Sequence, residues 1–259
     1  MDRRSFLLKS ASLLAGSLLG INSFSRAFAL EPYENDNLLK PTIALIIDDI
    51  GYSFARARQF LELDVPITYS ILPRLPKSHR LAMEIHNAGH EIMLHQPMEP
   101  HSRRFDPGPG ALHVADTPET IVKTMEFNIS EMFLAVGVNN HMGSKFTECC
   151  GEMNEALSVV KERGLFFIDS LTSSHSQAYK VARGLGMVTA RRSVCVDYGA
   201  DESTILSQLR KLQTLAMKHG HAVGLGHPYP ATARAVKHFL NHIKHDNVSM
   251  VYVSDVLYT

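Results

Sequence analysis

Two adjacent carboxylates, Asp48 and Asp49, follow the apolar run IALII at residues 43–47. Other apolar, strand-like runs of the chain also end on aspartate or histidine. The complete set of such residues is Asp48, Asp49, His95, His141, Asp169, Asp197, His227 and Asp255. Imidazole and carboxylate groups are the ligands that zinc and similar divalent cations bind in proteins. If these strand ends meet at one face of a fold, the sequence predicts a metal site at that face.

A bound cation would also resolve the repulsion between the two neighbouring carboxylates. If Asp49 binds the cation, its charge is neutralised and Asp48 can remain ionised beside it as a base. A divalent ion increases the acidity of water and polarises a carbonyl group, so Asp48 could accept a proton from that water. His227 could then donate a proton to the leaving group. We therefore predict Asp48 and His227 as catalytic residues.

Each of these residues also has a simpler interpretation. An aspartate after a strand often caps the next helix, and Asp197 and Asp255 are open to that reading. The histidines on predicted helices and loops are expected to lie on the surface or to pack in the core. No C-x-x-C pair occurs among the three cysteines, which argues against zinc bound by thiolates. The shared position at strand ends is what favours a site.

From Thr42 onward, short β-branched runs alternate with longer segments of helical spacing, which is typical of βαβ units and a parallel sheet. The predicted strands are residues 43–48, 67–72, 90–95, 136–141, 165–170, 187–197, 221–227 and 250–255. The predicted helices lie near residues 54–63, 77–88, 118–135, 152–163, 175–184, 202–219 and 231–244.

This alternation predicts an α/β fold, an irregular (β/α) barrel of seven or eight parallel strands. The catalytic residues of such barrels lie at the carboxyl ends of the strands. A doubly wound open sheet is the alternative. It would usually carry a glycine-rich turn after its first strand, whereas Gly51 stands alone here.

The first 29 residues have the features of an export signal. Arg3-Arg4-Ser5-Phe6-Leu7 resembles a twin-arginine signal, and Ala27-Phe28-Ala29 has the form of a cleavage site. The apolar stretch between them is too short and too interrupted for a stable membrane span. We expect an export signal at 1–29, a linker at 30–41 and one domain at 42–259. An ordinary secretory signal that carries two arginines is the alternative to the twin-arginine type.

The export signal predicts a periplasmic or secreted protein that is a partner of the twin-arginine export machinery. The 26 basic and 26 acidic residues give no basic excess, so nucleic acid is not an expected partner. Without residues 1–29 the chain is weakly acidic, which argues against strong attraction to anionic surfaces. A proline- and glycine-rich stretch at 97–116 predicts a long loop of the kind that often has a function.

Four segments between residues 42 and 257 resemble the motifs of one known family. They are Ile47-Asp48-Asp49 with Gly51, Gly89-His90-Glu91-Ile92 leading to His95, Asp169-Ser170, and Leu225-Gly226-His227. Together they resemble the polysaccharide deacetylase superfamily, and more closely its divergent polysaccharide deacetylase branch. In that family the first motif supplies a catalytic base followed by a metal-ligand aspartate. The fifth motif, which Leu225-Gly226-His227 resembles, supplies a general-acid histidine.

The chain departs from the usual family pattern in two places. Glu99 stands four residues after His95, where typical members carry a second metal histidine. The segment NNHMGS at 139–144 replaces the usual arginine-proline motif. The segment HQPMEP at 95–100 and the segment NNHMGS both look like what the divergent branch carries instead. We therefore predict His141 as the third metal ligand, with Glu99 as the alternative and Asn140 as a further ligand or support.

The resemblance implies metal-dependent hydrolysis of an N- or O-acetyl group on an envelope or extracellular glycan. The implied cofactor is a divalent ion, expected to be zinc. Its expected ligands are Asp49, His95 and His141. Asp169 and Asp197 would either orient His227 or bind sugar hydroxyl groups.

Two other functions stay open at this point. A non-catalytic carbohydrate-binding or envelope-assembly protein on the same scaffold would explain the changed motifs, but it would need neither a base nor an acid. Another barrel metallohydrolase, such as a phosphoesterase or an amidohydrolase, is the third reading. A phosphate site would need basic residues on the loops, and Arg103 and Arg104 are the only obvious pair.

The chain has no tryptophan, a residue that often stacks on sugar rings. Loop aromatics that could replace it are Tyr52, Phe105, Tyr198 and Tyr229. The alternative for these side chains is that they only pack against the protein.

Overall fold

The structure is a computed structural model that describes residues 40–243 and 246–257. The predicted export signal at 1–29 and most of the predicted linker at 30–41 lie outside the described residues. Within the described residues, no helix has the length and apolar character needed to cross a membrane.

Among the described residues, nine strands form one sheet in which every pairing is parallel. Their bounds are β1 Thr42–Ile50, β2 Thr68–Ile71, β3 Glu91–Met98, β4 Gly137–Met142, β5 Phe166–Asp169, β6 Thr189–Arg191, β7 Val194–Cys195, β8 His221–Gly226 and β9 Ser249–Val251. The strand order is β6-β5-β4-β3-β2-β1-β8-β7, and β9 pairs with the start of β1. In the described part of the chain, β6 and β7 do not pair with each other, so the barrel is incomplete.

Strands β1 to β6 lie side by side in chain order, which distinguishes this fold from a doubly wound sheet, where the order reverses at a switch point. The predicted irregular (β/α) barrel is therefore confirmed. The closing strands are very short, since β6 has three residues and β7 has two.

Seven α-helices follow or separate these strands in the described residues. They are α1 Phe54–Leu61, α2 Ser78–Asn87, α3 Pro118–Glu131, α4 Cys150–Glu162, α5 Ala178–Gly184, α6 Glu202–His219 and α7 Pro230–Ile243. Side-chain caps begin several of them. Thr117 accepts from the Thr120 backbone N–H ahead of α3, which carries proline in its first turn, and Asp201 accepts from the Thr204 N–H ahead of α6.

Alternate residues of the strands face two different apolar layers. On β1, Ile43, Leu45 and Ile47 belong to the large cluster that includes the helices. Ala44 and Ile46 belong to a smaller cluster built mainly from strand residues, inside the barrel. This two-residue period is the ordinary alternation of a β-strand. It also determines which strand-end side chains can reach the mouth of the barrel.

The predicted strand at 187–197 is wrong in one respect, because the chain forms two short strands there, β6 and β7. The Arg192 backbone N–H still donates to the Asp169 carbonyl on the β5 side. The next N–H, that of Ser193, donates to the Val223 carbonyl of β8. The chain therefore changes pairing partner between these two residues, and this crossing interrupts the strand.

The predicted eighth strand is also corrected. Strand β9 ends at Val251, and Asp255 lies in a short 3-10 helix, Ser254–Val256. Because β9 pairs with the first three residues of β1, this segment lies near the amino ends of the strands. The Asp255 carboxylate accepts from the Tyr252 N–H at 3.0 Å, so it stabilises a local turn away from the other strand-end residues.

Candidate active site

The inward-facing positions of the strands bring the candidate residues together at the carboxyl ends of the barrel. Asp48 continues the inward series Ala44 and Ile46 of β1, and His95 continues the inward position of Met93 on β3. The same alternation carries His227 inward, two positions beyond Leu225. A single cleft of 290 Å³ is lined by Asp48, Asp49, His95, Asn140, His141 and His227, among others.

Asp49 would face away from this cleft if β1 continued regularly. Its φ of 57° places it in the left-handed region, and the β1–β2 register shifts between Ile47 and Ile50. As a result both carboxylates face one imidazole. His95 Nε2 lies 3.7 Å from Asp48 Oδ2 and 3.2 Å from Asp49 Oδ1.

The glycine that follows this irregular turn is also required by the backbone. Gly51 has a φ of 145°, and a Cβ added there would lie 2.8 Å from Leu75 Cδ1. The D-D-x-G pattern therefore combines a strained aspartate with a glycine that lets the chain pass close to Leu75.

Asp49, His95 and His141 form a group able to hold a metal ion. The three facing atoms form a triangle: Asp49 Oδ1 lies 2.9 Å from His141 Nδ1 and 3.2 Å from His95 Nε2, and the two ring nitrogens are 3.2 Å apart. Ligand atoms about 2.1 Å from a tetrahedral zinc ion are separated by roughly 3.4 Å, so the observed triangle is close to that spacing.

The state of the Asp49 carboxylate supports the same interpretation. Its Oδ1 atom is buried and accepts no hydrogen bond, although two imidazole nitrogens lie within 3.2 Å of it. Burial alone would raise the pKa of Asp49, but the imidazoles of His141 and His95 outweigh burial and hold that pKa well below its usual range. A buried, ionised oxygen without a hydrogen bond is a fitting ligand for a divalent cation.

Asn139 connects the candidate base to the candidate metal ligand, and sequence reasoning did not identify it. Its Oδ1 accepts hydrogen bonds from His95 Nδ1 at 2.8 Å and from the Ser70 hydroxyl. Its Nδ2 donates to Asp48 Oδ1 at 2.8 Å and to the Ser170 hydroxyl at 3.3 Å. Because His95 donates through Nδ1 to Asn139, its other ring nitrogen, Nε2, is the one that faces Asp49 and His141.

Asp48 is almost completely buried beside this group. Burial raises the pKa of the Asp48 carboxyl, and the charges of His95 and His227 with the Asn139 hydrogen bond offset part of that rise. The two neighbouring carboxylates thus differ in environment. Asp49 is held ionised by two imidazoles, whereas Asp48 is the more basic of the pair.

His227 is oriented by Asp197, one of the two aspartates proposed for that role. The Asp197 carboxylate accepts from His227 Nδ1 at 2.9 Å, from the His227 backbone N–H at 2.6 Å and from the Thr232 hydroxyl at 2.8 Å. Burial would lower the pKa of His227, but the hydrogen bond and charge of Asp197, with Asp48 and Asp49, raise it to about 9. His227 is therefore protonated at neutral pH.

Asp169 has a different role from Asp197. It is completely buried on the outward side of β5, and its carboxylate accepts from the Leu171 N–H, the Ser176 hydroxyl and the Tyr179 N–H. These bonds hold the loop that leads into α5. Asp169 therefore shapes the loop beside the cleft and contacts neither His227 nor the cleft.

Glu99 lies outside the Asp49-His95-His141 group, and Asn140 bonds to the neighbouring loops. Glu99 pairs with Lys145 at 2.6 Å and accepts from the Val114 N–H at 2.8 Å. Asn140 accepts from the Ser170 N–H at 2.9 Å and donates to the Met142 carbonyl at 2.8 Å. Both side chains therefore stabilise the loops around the cleft.

Arg192 and Cys195 also line the cleft, although both lie within the predicted strand 187–197. The Arg192 guanidinium donates to the carbonyls of Ser170 at 2.6 Å and Leu171 at 2.9 Å. These two hydrogen bonds hold the loop after β5 against the end of β6.

This incomplete parallel barrel, with its aspartates and histidines at the carboxyl ends of the strands, is a polysaccharide deacetylase-like (β/α) barrel. The chain belongs to the divergent polysaccharide deacetylase family, whose model matches residues 45–257. It is 31% identical over 231 residues to the uncharacterized protein YibQ of Escherichia coli strain K12, covering 89% of this chain and 72% of YibQ.

Solved structures share the fold at lower identity. The uncharacterized protein ATU2773 from Agrobacterium tumefaciens C58 matches with a TM-score of 0.80 at 22% identity, covering 85% of this chain and 90% of that one. The catalytic domain of peptidoglycan N-acetylglucosamine deacetylase from Eubacterium rectale matches with a TM-score of 0.55 at 14% identity, covering 82% and 88%.

Substitution of His141 tests the metal group. We expect the wild-type protein to bind one equivalent of Zn²⁺ and His141→Ala to bind it at least about 100-fold more weakly, because one of three protein ligands is lost. Glu99→Gln is the control, since Glu99 faces Lys145, and it should keep wild-type affinity. Calorimetric titration measures both. Equal Zn²⁺ affinity in His141→Ala and the wild type would exclude His141 as a ligand.

Substitution of Asn139 tests the connection between base and ligand. We expect Asn139→Ala to weaken Zn²⁺ binding about 10- to 100-fold, because His95 loses the partner that orients its ring. Asn140→Ala is the matched control, because Asn140 contacts a loop backbone and not His95. If the two variants bind Zn²⁺ equally well, the hydrogen bond to His95 does not orient a ligand.

Proposed function

We propose that this protein is a metal-dependent hydrolase that removes N- or O-acetyl groups from an envelope or extracellular glycan. The single observation that carries the proposal is the shared cleft, where a buried carboxylate, an Asp-His-His group and a histidine oriented by Asp197 surround one space of 290 Å³. A non-catalytic binding protein would need neither the base nor the acid.

Asp49, His95 and His141 would hold the ion, which we propose to be zinc. When bound, a zinc ion polarises a substrate carbonyl and increases the acidity of a nearby water. The chain's own groups do the rest of the chemistry. Asp48, whose pKa burial raises, accepts the proton from the attacking water. The Asn139 amide holds the Asp48 carboxylate in place during that transfer.

His227 is proposed to protonate the departing amine or alcohol. Its Nδ1 is bound to Asp197, so Nε2 is the ring nitrogen free to donate into the cleft. The Asp197 carboxylate stabilises the imidazolium form, which keeps a proton available at neutral pH. Acid and base are therefore different residues held by different partners, Asp197 and Asn139.

An envelope glycan is the proposed substrate because the first 29 residues predict export to the periplasm or beyond. The fold shared with a peptidoglycan N-acetylglucosamine deacetylase is consistent with that proposal. A phosphoesterase is less well supported. Arg192 is the arginine that lines the cleft, and two of its guanidinium nitrogens are already bound to backbone carbonyls.

Acetate release tests the proposed reaction. We expect the Zn²⁺-loaded wild type to release acetate from N-acetylated or O-acetylated oligosaccharides. Asp48→Asn should lose about 100- to 10,000-fold in kcat, because an amide cannot accept the proton. Glu99→Gln should retain activity. A loaded wild type that binds the glycans but releases no acetate would support the non-catalytic alternative.

The pH profile tests the role of His227. Because the pKa of His227 is raised to about 9, its acidic form is complete well below that pH and is lost as the pH rises through it. Asp197→Asn removes the charge that raises this pKa, so we expect the alkaline limb of kcat to move to lower pH by about one to two units. Thr232→Val, which removes only one bond to Asp197, should leave the limb in place. Identical limbs in Asp197→Asn and the wild type would contradict the assignment of His227 as acid.

A further inference from the structure

A second recess lies beside the cleft and has no role in the chemistry described above. It has a volume of 190 Å³ and is lined by Asp49, Tyr52, Ser53, Arg56, Pro228 and Tyr229, among others. Asp49 borders both spaces, so the recess adjoins the candidate metal group. A substrate that reaches the metal group can therefore extend into the recess.

Two exposed tyrosines form much of the wall. Tyr52 lies on the loop after β1 and is 58% exposed, and Tyr229 lies on the loop after β8 and is 46% exposed. The Tyr229 ring stacks on the His227 ring, with centroids 5.7 Å apart and an angle of 29° between the planes. The wall of the recess is therefore continuous with the proposed general acid. Exposed aromatic faces next to a glycan-processing site are suited to packing against a sugar ring.

Arg56 gives the recess its charge. It lies in the first turn of α1, its side chain is exposed, and no carboxylate among the described residues is within 4.0 Å of its guanidinium. Arg58, two residues further along the same helix, instead pairs with Glu84 at 2.6 Å. Arg56 is thus a cation without a carboxylate partner, and it lines the same recess as Asp49. A guanidinium matches the planar geometry of a carboxylate, so Arg56 could bind one.

We propose that this recess is a subsite for a carboxylate-bearing sugar next to the acetylated sugar, with Arg56 binding the carboxylate and Tyr52 and Tyr229 packing on the ring. The inference rests on the proposed function and adds a substrate class to it, an acidic glycan. Both tyrosine hydroxyls can donate hydrogen bonds to sugar oxygens.

Matched oligosaccharides test the subsite. The probes are a tetrasaccharide of alternating glucuronate and N-acetylglucosamine and the same tetrasaccharide with its carboxyl groups reduced to alcohols. We expect the Zn²⁺-loaded wild type to bind the acidic probe more tightly in calorimetric titration and to deacetylate it with a higher kcat/KM. Arg56→Ala should lower both quantities about tenfold for the acidic probe and leave the reduced probe unchanged. Arg58→Ala should leave the preference intact.

Titration and acetate release separate this inference from the proposed function. If tight binding of the acidic tetrasaccharide depends on Arg56 but no acetate is released, the subsite stands and the hydrolase proposal fails. If acetate is released with no preference for the acidic probe, or with a preference that Arg56→Ala preserves, the hydrolase stands and the subsite is overturned.

Discussion

The burial of two neighbouring carboxylates, Asp48 and Asp49, at the end of β1 is the constraint on which the rest of the site depends. Two ionised carboxylates in a poorly solvated place need opposite charge or hydrogen-bond donors, and each finds a different kind of partner. Asp49 turns into the left-handed region and faces the two imidazoles, while Asp48 receives the Asn139 amide. The backbone irregularity at Asp49 is thus what brings the pair together, because a regular strand would point the two carboxylates to opposite faces.

The location of the site could be predicted from the sequence, but the identity of its supporting residues could not be read from strand ends alone. Apolar runs that end on Asp or His indicate the carboxyl edge of a parallel barrel. They do not say which of two successive residues faces inward. Strand alternation supplies that information: Phe166 and Ile168 face inward on β5, so Ser170 reaches the site and Asp169 does not. On β4 the same alternation puts Asn139 on the inward side together with His141, so Asn139 also reaches the site.

Strand pairing late in the chain was harder to predict, because tertiary hydrogen bonds decide it. The run 187–197 has the composition of one strand, yet Arg192 pairs with β5 and Ser193 pairs with β8. The crossing brings Arg192 and Cys195 to the cleft and sets Asp197 against His227. An aspartate that the sequence alone left open as a helix cap is therefore the orienting partner of the proposed acid, through contacts that depend on the position of β8.

The changed third motif shifts the electrostatic balance of the site. In place of the arginine-proline segment typical of the wider superfamily that the chain resembles, β4 supplies Asn139 and His141. The Asn139 amide donates a hydrogen bond to Asp48 but adds no positive charge, so the charge of the two carboxylates must be balanced by imidazoles or by an ion. Imidazoles bind a metal only when their ligating nitrogens are unprotonated, and so a bound cation replaces the protons that would otherwise balance Asp49. The segment at 139–144 thus brings an imidazole, and not a fixed positive charge, to the candidate metal group, so the charge balance there would depend on protons or on a bound ion.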